Sequence, residues 1–394
     1  MAQTKIKPEL IDGGLGTDWQ SAIQTSNFTA AAGKGYFVDT TSGSITITLP
    51  AGVVGAQISI QDYAGTFDTN NAVLNANGTE KIQGDTVAGQ ITTKNATTTL
   101  VYQDSVKGWT AQNITPQTID VSYLVVAGGG GGGWAYGGGG GAGGYKTNYQ
   151  GTSFSGFAAT NYTVTVGGGG AGAAQSGQRV NGNNSVFSTI TSTAGGGGGS
   201  DAIIDGANGG SGGGGSYVSG AGGSGISGEG NDGGSGSPNV SSGNAAAGGG
   251  GGAGAVGVSS TDKNTGGSGG AGLSNSITGS AVDYAGGGGG GCGLNSSGNP
   301  GSGGTGGGAS GGKGSTGGNA TNNTGGGAGG GGGSGYYTGG NGGSGVVILR
   351  YPNTKTLTVP SGSGLITSHL NTAISGTSDK YTRFTGGTGT ISFS

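Results

Sequence analysis

Short runs of alternating apolar and polar residues recur through the first third of the chain. Ser44-Ile-Thr-Ile-Thr-Leu49 sets Ile45, Ile47 and Leu49 on one face and threonines on the other, the period of a half-buried strand. Gln57-Ile-Ser-Ile-Gln61 and Thr97-Thr-Thr-Leu-Val-Tyr102 repeat it. Turn chemistry separates these runs at Pro50-Ala-Gly52, Asp68-Thr-Asn-Asn71, Asn77-Gly78 and Lys107-Gly108. Strands at this spacing predict a small antiparallel β-sandwich or barrel over residues 36–118. Ahead of it, residues 1–35 are mixed, and Thr17-Asp-Trp-Gln-Ser-Ala-Ile23 predicts one helical turn with Thr17 or Asp18 as its N-cap. Long helical periodicity is absent throughout, so the fold class is all-β.

A different pattern follows. Ile119-Asp-Val-Ser-Tyr-Leu-Val-Val126 and Val346-Val-Ile-Leu-Arg-Tyr351 are near-continuous apolar runs, and between them glycine dominates. Runs of that kind need cover on both faces, which predicts that these two distant segments share a sheet and frame a glycine-rich domain over residues 119–352. Asn161-Tyr-Thr-Val-Thr-Val166 and Ser185-Val-Phe-Ser-Thr-Ile190 read as further strands. Residues 353–394 return to alternation at Lys355–Val359, Lys380–Phe384 and Thr390–Phe393. A tail this short has too little surface to bury for a core of its own, so it packs on the glycine-rich domain or on copies of itself.

Composition changes what the middle can be. Of 394 residues 109 are glycine, only 30% are apolar and 8% charged, with a net charge of −3. One large apolar core is therefore out of reach, and little repulsion holds the middle open. A linker of such length inside a domain would be abnormal, and runs such as Gly286–Gly291 break any Gly-X-Y register. The reading that remains is a bundle of extended rods with three residues per turn, polyglycine II in geometry. Without side chains, the rods approach closely enough for backbone hydrogen bonds in several directions. Ordering each residue costs about 1–2 kcal/mol and each net hydrogen bond returns only about 0.5–1.5 kcal/mol, so the flanking strands must nucleate the lattice. Sparse residues such as Ile203, Ile204, Val256, Val258 and Leu273 are expected to plug its gaps, with turns at Ser235–Asn239 and Asn295–Pro300.

Several chemistries fall away. Cys292 is the single cysteine, so no intrachain disulfide staples the fold. No Lys/Arg cluster supplies an electrostatic footprint for nucleic acid, no apolar run is long enough to span a membrane, and the first residues lack a secretory apolar region. Val125–Gly133 imitates a dinucleotide-binding turn without a following helix, and Gly307–Gly314 imitates a phosphate-binding loop with Gly314 where a hydroxyl should hold magnesium. His369, the one histidine, supports neither a metal site nor a triad and reads as a surface or turn residue. Asp62, Asp68, Glu80 and Asp85 lie near turns, where Asx-type hydrogen bonding explains the aspartates more simply than a carboxylate pair. No cofactor, metal or catalytic residue is expected.

Aromatic residues are what is left. Trp134, Tyr136, Tyr145 and Tyr149 follow the first glycine run, and Tyr217, Tyr284, Tyr336 and Tyr337 punctuate the long one. At turns they would project outward as contact residues, since tyrosine gives area at low entropic cost; the alternative is packing against the β-core.

The stretches Gly35–Gly43, Ile45–Pro50 and Asp62–Asn71 resemble the β-domain of tail-fibre and other virion-surface proteins of tailed phages, especially those of marine and cyanobacterial hosts. Tyr123-Leu-Val-Val-Ala-Gly-Gly-Gly, Tyr162–Gly169 and Gly342–Pro352 resemble the glycine-rich domain found in many of them. The resemblance implies a non-enzymatic, commonly trimeric virion component, assembled in the host cytoplasm and released by lysis. Its expected partners are other virion proteins, through residues 1–35, and a host surface glycan or outer-membrane protein, through the glycine-rich domain. A head or tail decoration fibre without receptor specificity and a surface-polysaccharide depolymerase are the rival expectations.

Overall fold

The computed structural model describes residues 17–111, 114–116, 118–157, 161–238, 244–295, 297–333 and 335–394. Residues 1–16, Asn239 and Ser296 lie outside them, and with them much of the expected attachment segment and part of both expected turns. The described chain is all-β, and none of its sheets closes into a barrel. It forms two compact units, Met1–Ile119 with Gly156–Thr160, and Asp120–Ser155 with Asn161–Ser394.

In the first unit, β1 (Asp18–Trp19), β2 (Phe28–Thr29), β3 (Lys34–Val38), β4 (Ile45–Thr48), β5 (Gln57–Asp62) and β6 (Ala72–Asn75) pass alternately between two sheets. β1, β3 and β5 are parallel neighbours in one sheet, and β2, β4 and β6 in the other. β7 (Gly89–Ile91), β8 (Thr97–Tyr102), β9 (Trp109–Thr110) and β10 (Ile114–Pro116) then add antiparallel edges. The expected strands are present and their predicted faces are buried: Ile45, Ile47, Leu49, Ile58, Ile60 and Leu100 share one core with Trp109.

Their arrangement differs from the antiparallel expectation. The Gly- and Pro-bearing clusters after β3 and β4 are corners that carry the chain across to the facing sheet, so a strand's neighbour is the strand one full coil earlier. Local turn chemistry marks a change of direction but does not say whether the chain reverses within a sheet or leaves it. The helical turn expected at Thr17–Ile23 is also absent. Asp18 and Trp19 pair instead with Lys34 and Gly35, and the indole stacks on Phe37 at 4.8 Å.

Three of the four acidic residues singled out near turns serve the backbone, while Asp68 Oδ1 is met by the Thr69 hydroxyl at 3.4 Å. Buried Asp62 accepts N–H groups from Gly65, Thr66, Phe67 and Asn95 at 2.9–3.2 Å. Glu80 accepts from Gly52, and Asp85 from Val87.

The second unit starts from two sheets. β11 (Thr118–Val126), β12 (Tyr145–Thr147), β13 (Phe154–Phe157), β14 (Tyr162–Thr165), β15 (Ser185–Phe187) and β16 (Ile190–Ser192) come first. A hairpin of β17 (Leu273–Asn275) and β18 (Val282–Tyr284) interrupts the glycine region, and β19 (Val346–Pro352) closes it. The two framing strands are antiparallel partners, Val126 opposite Val346 and Ser122 opposite Arg350, as the apolar pattern requires. The tail supplies β20 (Leu357–Thr358), β21 (Ile366–Ala373), β22 (Asp379–Gly386) and β23 (Thr388–Phe393). β22 extends the sheet of β11 and β19, while β23 pairs β14, so the tail belongs to both sheets of this unit.

Between the framing strands the glycines form a lattice of rods. Along residues 128–133 successive N–H groups point to three different neighbours, with a repeat of three. Gly128 and Gly131 donate to Asn183 and Val180, Gly129 and Gly132 to Gly343 and Gly340, and Gly130 and Gly133 to Gly141 and Gly138, at 2.8–3.0 Å. The same rod accepts from Gly170 and Ala173, from Gly195 and Gly198, and from Ala328 and Gly331 at 2.8–3.1 Å. Donation on three sides and acceptance on three others is what a three-residue turn with free N–H groups dictates. At the glycine positions the spacing leaves no room for a side chain, as at Gly130, where a Cβ would lie 2.1 Å from the Gly196 carbonyl oxygen. Ile203, Val256, Val258 and Leu273 are accordingly exposed rather than plugging gaps, because rods at this distance leave no gaps to plug.

Where the lattice meets solvent, asparagine and aspartate side chains take over the missing acceptors. Gly206 N–H donates to Ala221 O while Asp205 Oδ1 accepts the Ala221 N–H; Gly209, Ser224 and Asn208 repeat this one turn later. Ala320, Asn341 and Asn319 form the same ring. The side-chain oxygen thus imitates a further rod.

Candidate contact surface at the rod ends

The rods run alternately away from the sheets and back. Residues 128–133 lead out from β11 and 137–144 return to β12; 211–216 lie antiparallel to 139–142 and so run outward; 325–333 follow 128–133 before 338–345 return to β19. This alternation sorts the eight candidate aromatic residues. Trp134, Tyr136, Tyr217, Tyr336 and Tyr337 occupy outer turns, and Tyr145, Tyr149 and Tyr284 sit at the sheet end.

The sheet-end group is engaged internally. Tyr145 and Tyr284 are buried in a core with Leu124, Val126 and Ile348, and Asn275 Nδ2 donates to Tyr145 Oη at 2.8 Å. Burial raises the pKa of both phenols. Arg350 lies over the Tyr149 ring, 5.3 Å from its centroid, donates to its hydroxyl at 3.1 Å and pairs with Asp379 at 2.8 Å. Beside Tyr145 and Thr147 opens a cleft of about 330 Å³ that also reaches Glu229. That carboxylate is held by Lys146 Nζ at 2.9 Å and the Thr193 N–H at 2.6 Å.

The outer group forms a surface. Four turns are tied together by hydrogen bonds: Trp134 N–H donates to Ser200 Oγ at 3.1 Å, Ser216 Oγ–H to Tyr136 O at 2.9 Å, Ser216 N–H to Ile204 O at 2.7 Å, and Ala135 N–H to Tyr337 O at 3.0 Å. Trp134 and Tyr336 stack at 5.2 Å and 16°, and Tyr136 and Tyr217 meet at 5.0 Å. The Tyr136 ring lies against Gly333, where any Cβ would overlap it.

Tyr336 is 66% exposed, with Ile203 and Val218 exposed on neighbouring turns. Partial burial raises the Tyr217 pKa, and the charge of Asp201 pushes the same way. Backbone strain collects here too. Ala135, Tyr136, Val218, Ser219 and Tyr336 all have φ between 45° and 60°, a conformation costing a non-glycine residue about 1–2 kcal/mol. Among the described residues no group of three or more His, Cys, Asp and Glu is placed to hold a metal, and no helix is long and apolar enough to cross a membrane.

A family described as the glycine-rich domain matches residues 104–352. The chain belongs to that glycine-rich domain family. The match takes in both framing strands and every rod, so the lattice and its outer turns lie within the glycine-rich domain proper. Among curated proteins none matches the chain.

The glycine-rich domain's sequence named the aromatic residues but could not sort them. Which turn lies outward depends on counting rods from β11, and rods such as 206–210 are too short to recognise without their neighbours. Sequence reasoning also passed over Asp201 and Ser200. Their only signal is position, in the turn that interrupts glycine between Gly199 and Gly206.

Proposed function

We propose that this chain is a non-enzymatic phage virion-surface fibre or adhesin, attached to the particle by its N-terminal part and touching the host through the outer turns of the glycine-rich domain. The observation that carries this reading is the gathering of five aromatic side chains at the rod ends remote from the sheets, each of them in a left-handed conformation or next to a residue in one. A rigid lattice pre-pays the ordering of those turns, and rigid exposed aromatics are what contact surfaces favour. The low charge and the engagement of Asp62, Glu80 and Asp85 with backbone support a binding role over catalysis. A homotrimer on the virion surface, bound to other virion proteins, is part of the proposal.

The purified full chain is expected to bind host cells and block infection, and Trp134→Ser with Tyr336→Ser to lose both while unfolding at the unchanged temperature. Binding retained by the double variant, or absent from every host tested, refutes the reading and favours a decoration fibre. Release of reducing sugar from host polysaccharide would instead require a depolymerase.

A further inference from the structure

The outer turns bring a carboxylate close to the rings. Ser200 accepts the Trp134 N–H, so the next residue, Asp201, stands at the edge of the aromatic cluster. Its turn is closed by Ser200 N–H donating to Ile203 O at 2.8 Å, and Ile204 O in turn accepts from Ser216, next to Tyr217. The ion pairs among the described residues, Lys34–Asp18, Lys146–Glu229 and Arg350–Asp379, leave Asp201 out. The carboxylate's Oδ1 is met by the N–H of Ala202, within its own turn. Arg179, on an adjoining turn, donates to the backbone oxygen of Asp205 at 2.8 Å.

We infer that the outer turns bind an arginine side chain presented by a protein loop, its guanidinium lying flat on the Tyr336 ring beside Tyr217 and facing the carboxylate of Asp201. Aromatic faces attract cations through their quadrupole, tryptophan and tyrosine most strongly, and a nearby carboxylate adds charge and a hydrogen-bond acceptor. The shape favours arginine over an ammonium. Trp134 stacks flat on Tyr336 at 16°, and Tyr336 is the exposed ring of the pair, so it offers a planar face for a further stacked layer. A planar guanidinium stacks on such faces, while a compact, strongly hydrated ammonium does not. Exposed Ile203 and Val218 provide apolar contact for the rest of a loop.

This inference rests on the contact role of the outer turns, and two measurements separate it from the adhesin reading. First, the full chain is titrated by calorimetry with acetyl-Gly-Arg-Gly-amide and with the same peptide carrying citrulline, the neutral isostere, or lysine. Saturable binding of the arginine peptide is expected, weaker binding of lysine, and loss of about tenfold in affinity for citrulline and for Asp201→Asn. Asp201→Asn should leave the unfolding temperature unchanged, because that carboxylate accepts from the Ala202 N–H within its own turn, a bond an asparagine oxygen can also accept. No saturation, equal binding of citrulline or lysine, or an unaffected Asp201→Asn overturns the inference. Second, adhesion of Asp201→Asn to host cells is measured. Wild-type adhesion that Asp201→Asn retains removes the arginine partner and leaves the adhesin standing; arginine-peptide binding by a chain that adheres to no cell does the reverse.

Discussion

The two units solve the same problem with opposite materials. In the first, Ile47, Leu49, Ile58, Ile60 and Leu100 are fully buried, and each such side chain contributes about 1.5–3 kcal/mol by leaving water. In the second, rods touch backbone to backbone, and the hydrogen bonds that elsewhere merely keep pace with desolvation define the packing. Specificity follows the material. The first unit is fixed by which side chains face inward; the lattice is fixed by which positions carry none. The first should therefore suffer from atoms removed, and the second from atoms added.

The sharpest break of this comparison is Gly130→Ala. Its Cβ would lie 2.1 Å from the Gly196 carbonyl oxygen, and neither rod can retreat without losing contacts with its other neighbours. Overpacking costs about 1–3 kcal/mol, and a site held on every side by backbone belongs at the top of that range, so the second unit should unfold at markedly lower denaturant. Gly168→Ala is the control, since its Cβ would meet nothing nearer than Asn183 Nδ2 at 3.7 Å; a near-neutral result is expected. Equal effects of the two substitutions in denaturant titration would show that the rods are loose.

The reverse operation belongs to the first unit. Leu100→Ala empties a fully buried site among Ile58, Ile60 and Trp109, with an expected loss of about 2–5 kcal/mol. Monitored by Trp109 fluorescence, only the first unit's transition should move. Within the lattice, Ala328→Gly removes one buried methyl at a position whose neighbours are glycines, and should cost less than Leu100→Ala. An equal or larger cost there would abolish the contrast.

High pH probes burial in the second unit. Burial pushes Cys292 from 9.0 up to about 11 and Tyr351 from 10.0 up to about 12. Both folded values exceed the unfolded ones, so the unfolded chain ionises first. The stability these groups hold is fully present below pH 9, and is lost as pH climbs through 9–11 for the thiol and 10–12 for the phenol. Cys292→Ala should flatten the fall in melting temperature between pH 9 and 11 in particular; an unchanged profile would mean that the thiol is hydrated.

The sequence declared most of this division, for a physical reason in each case. Alternation at Ile45, Ile47 and Leu49 reports a strand with one buried face, and those residues are buried. Apolar runs at 119–126 and 346–351 report strands covered on both faces, and they pair. Failure came where the determinant was not local. β1 through β6 look like a meander, because a corner and a hairpin use the same residues. β21 went unseen because it is a largely exposed edge strand with three register shifts, which leaves no alternation to read. The outward sorting of Trp134, Tyr136, Tyr217, Tyr336 and Tyr337 depends on rod parity, a property of the whole path.

The smallest expected effect tests the lattice at its rim. Asx residues three apart, Asp205 with Asn208 and Asn319 with Asn322, accept from backbone N–H groups three apart on the adjacent rod: Ala221 with Ser224, and Asn341 with Ser344. The three-residue turn makes that spacing obligatory, because only every third side chain returns to the same side of the rod. Asn319→Ala frees one N–H at a surface where water can replace the lost oxygen, so the cost should be only about 0.5–1.5 kcal/mol, well below that of Gly130→Ala. Hydrogen exchange is the sensitive readout. The Asn341 amide should exchange faster in Asn319→Ala, while those of Gly130 and Gly140 keep the wild-type rate, because their acceptors at Gly141 and Ala328 lie inside the lattice. Acceleration that spread inward to Gly130 would mean that the rim holds the rods together, and the contrast between a side-chain core and a backbone core would no longer stand.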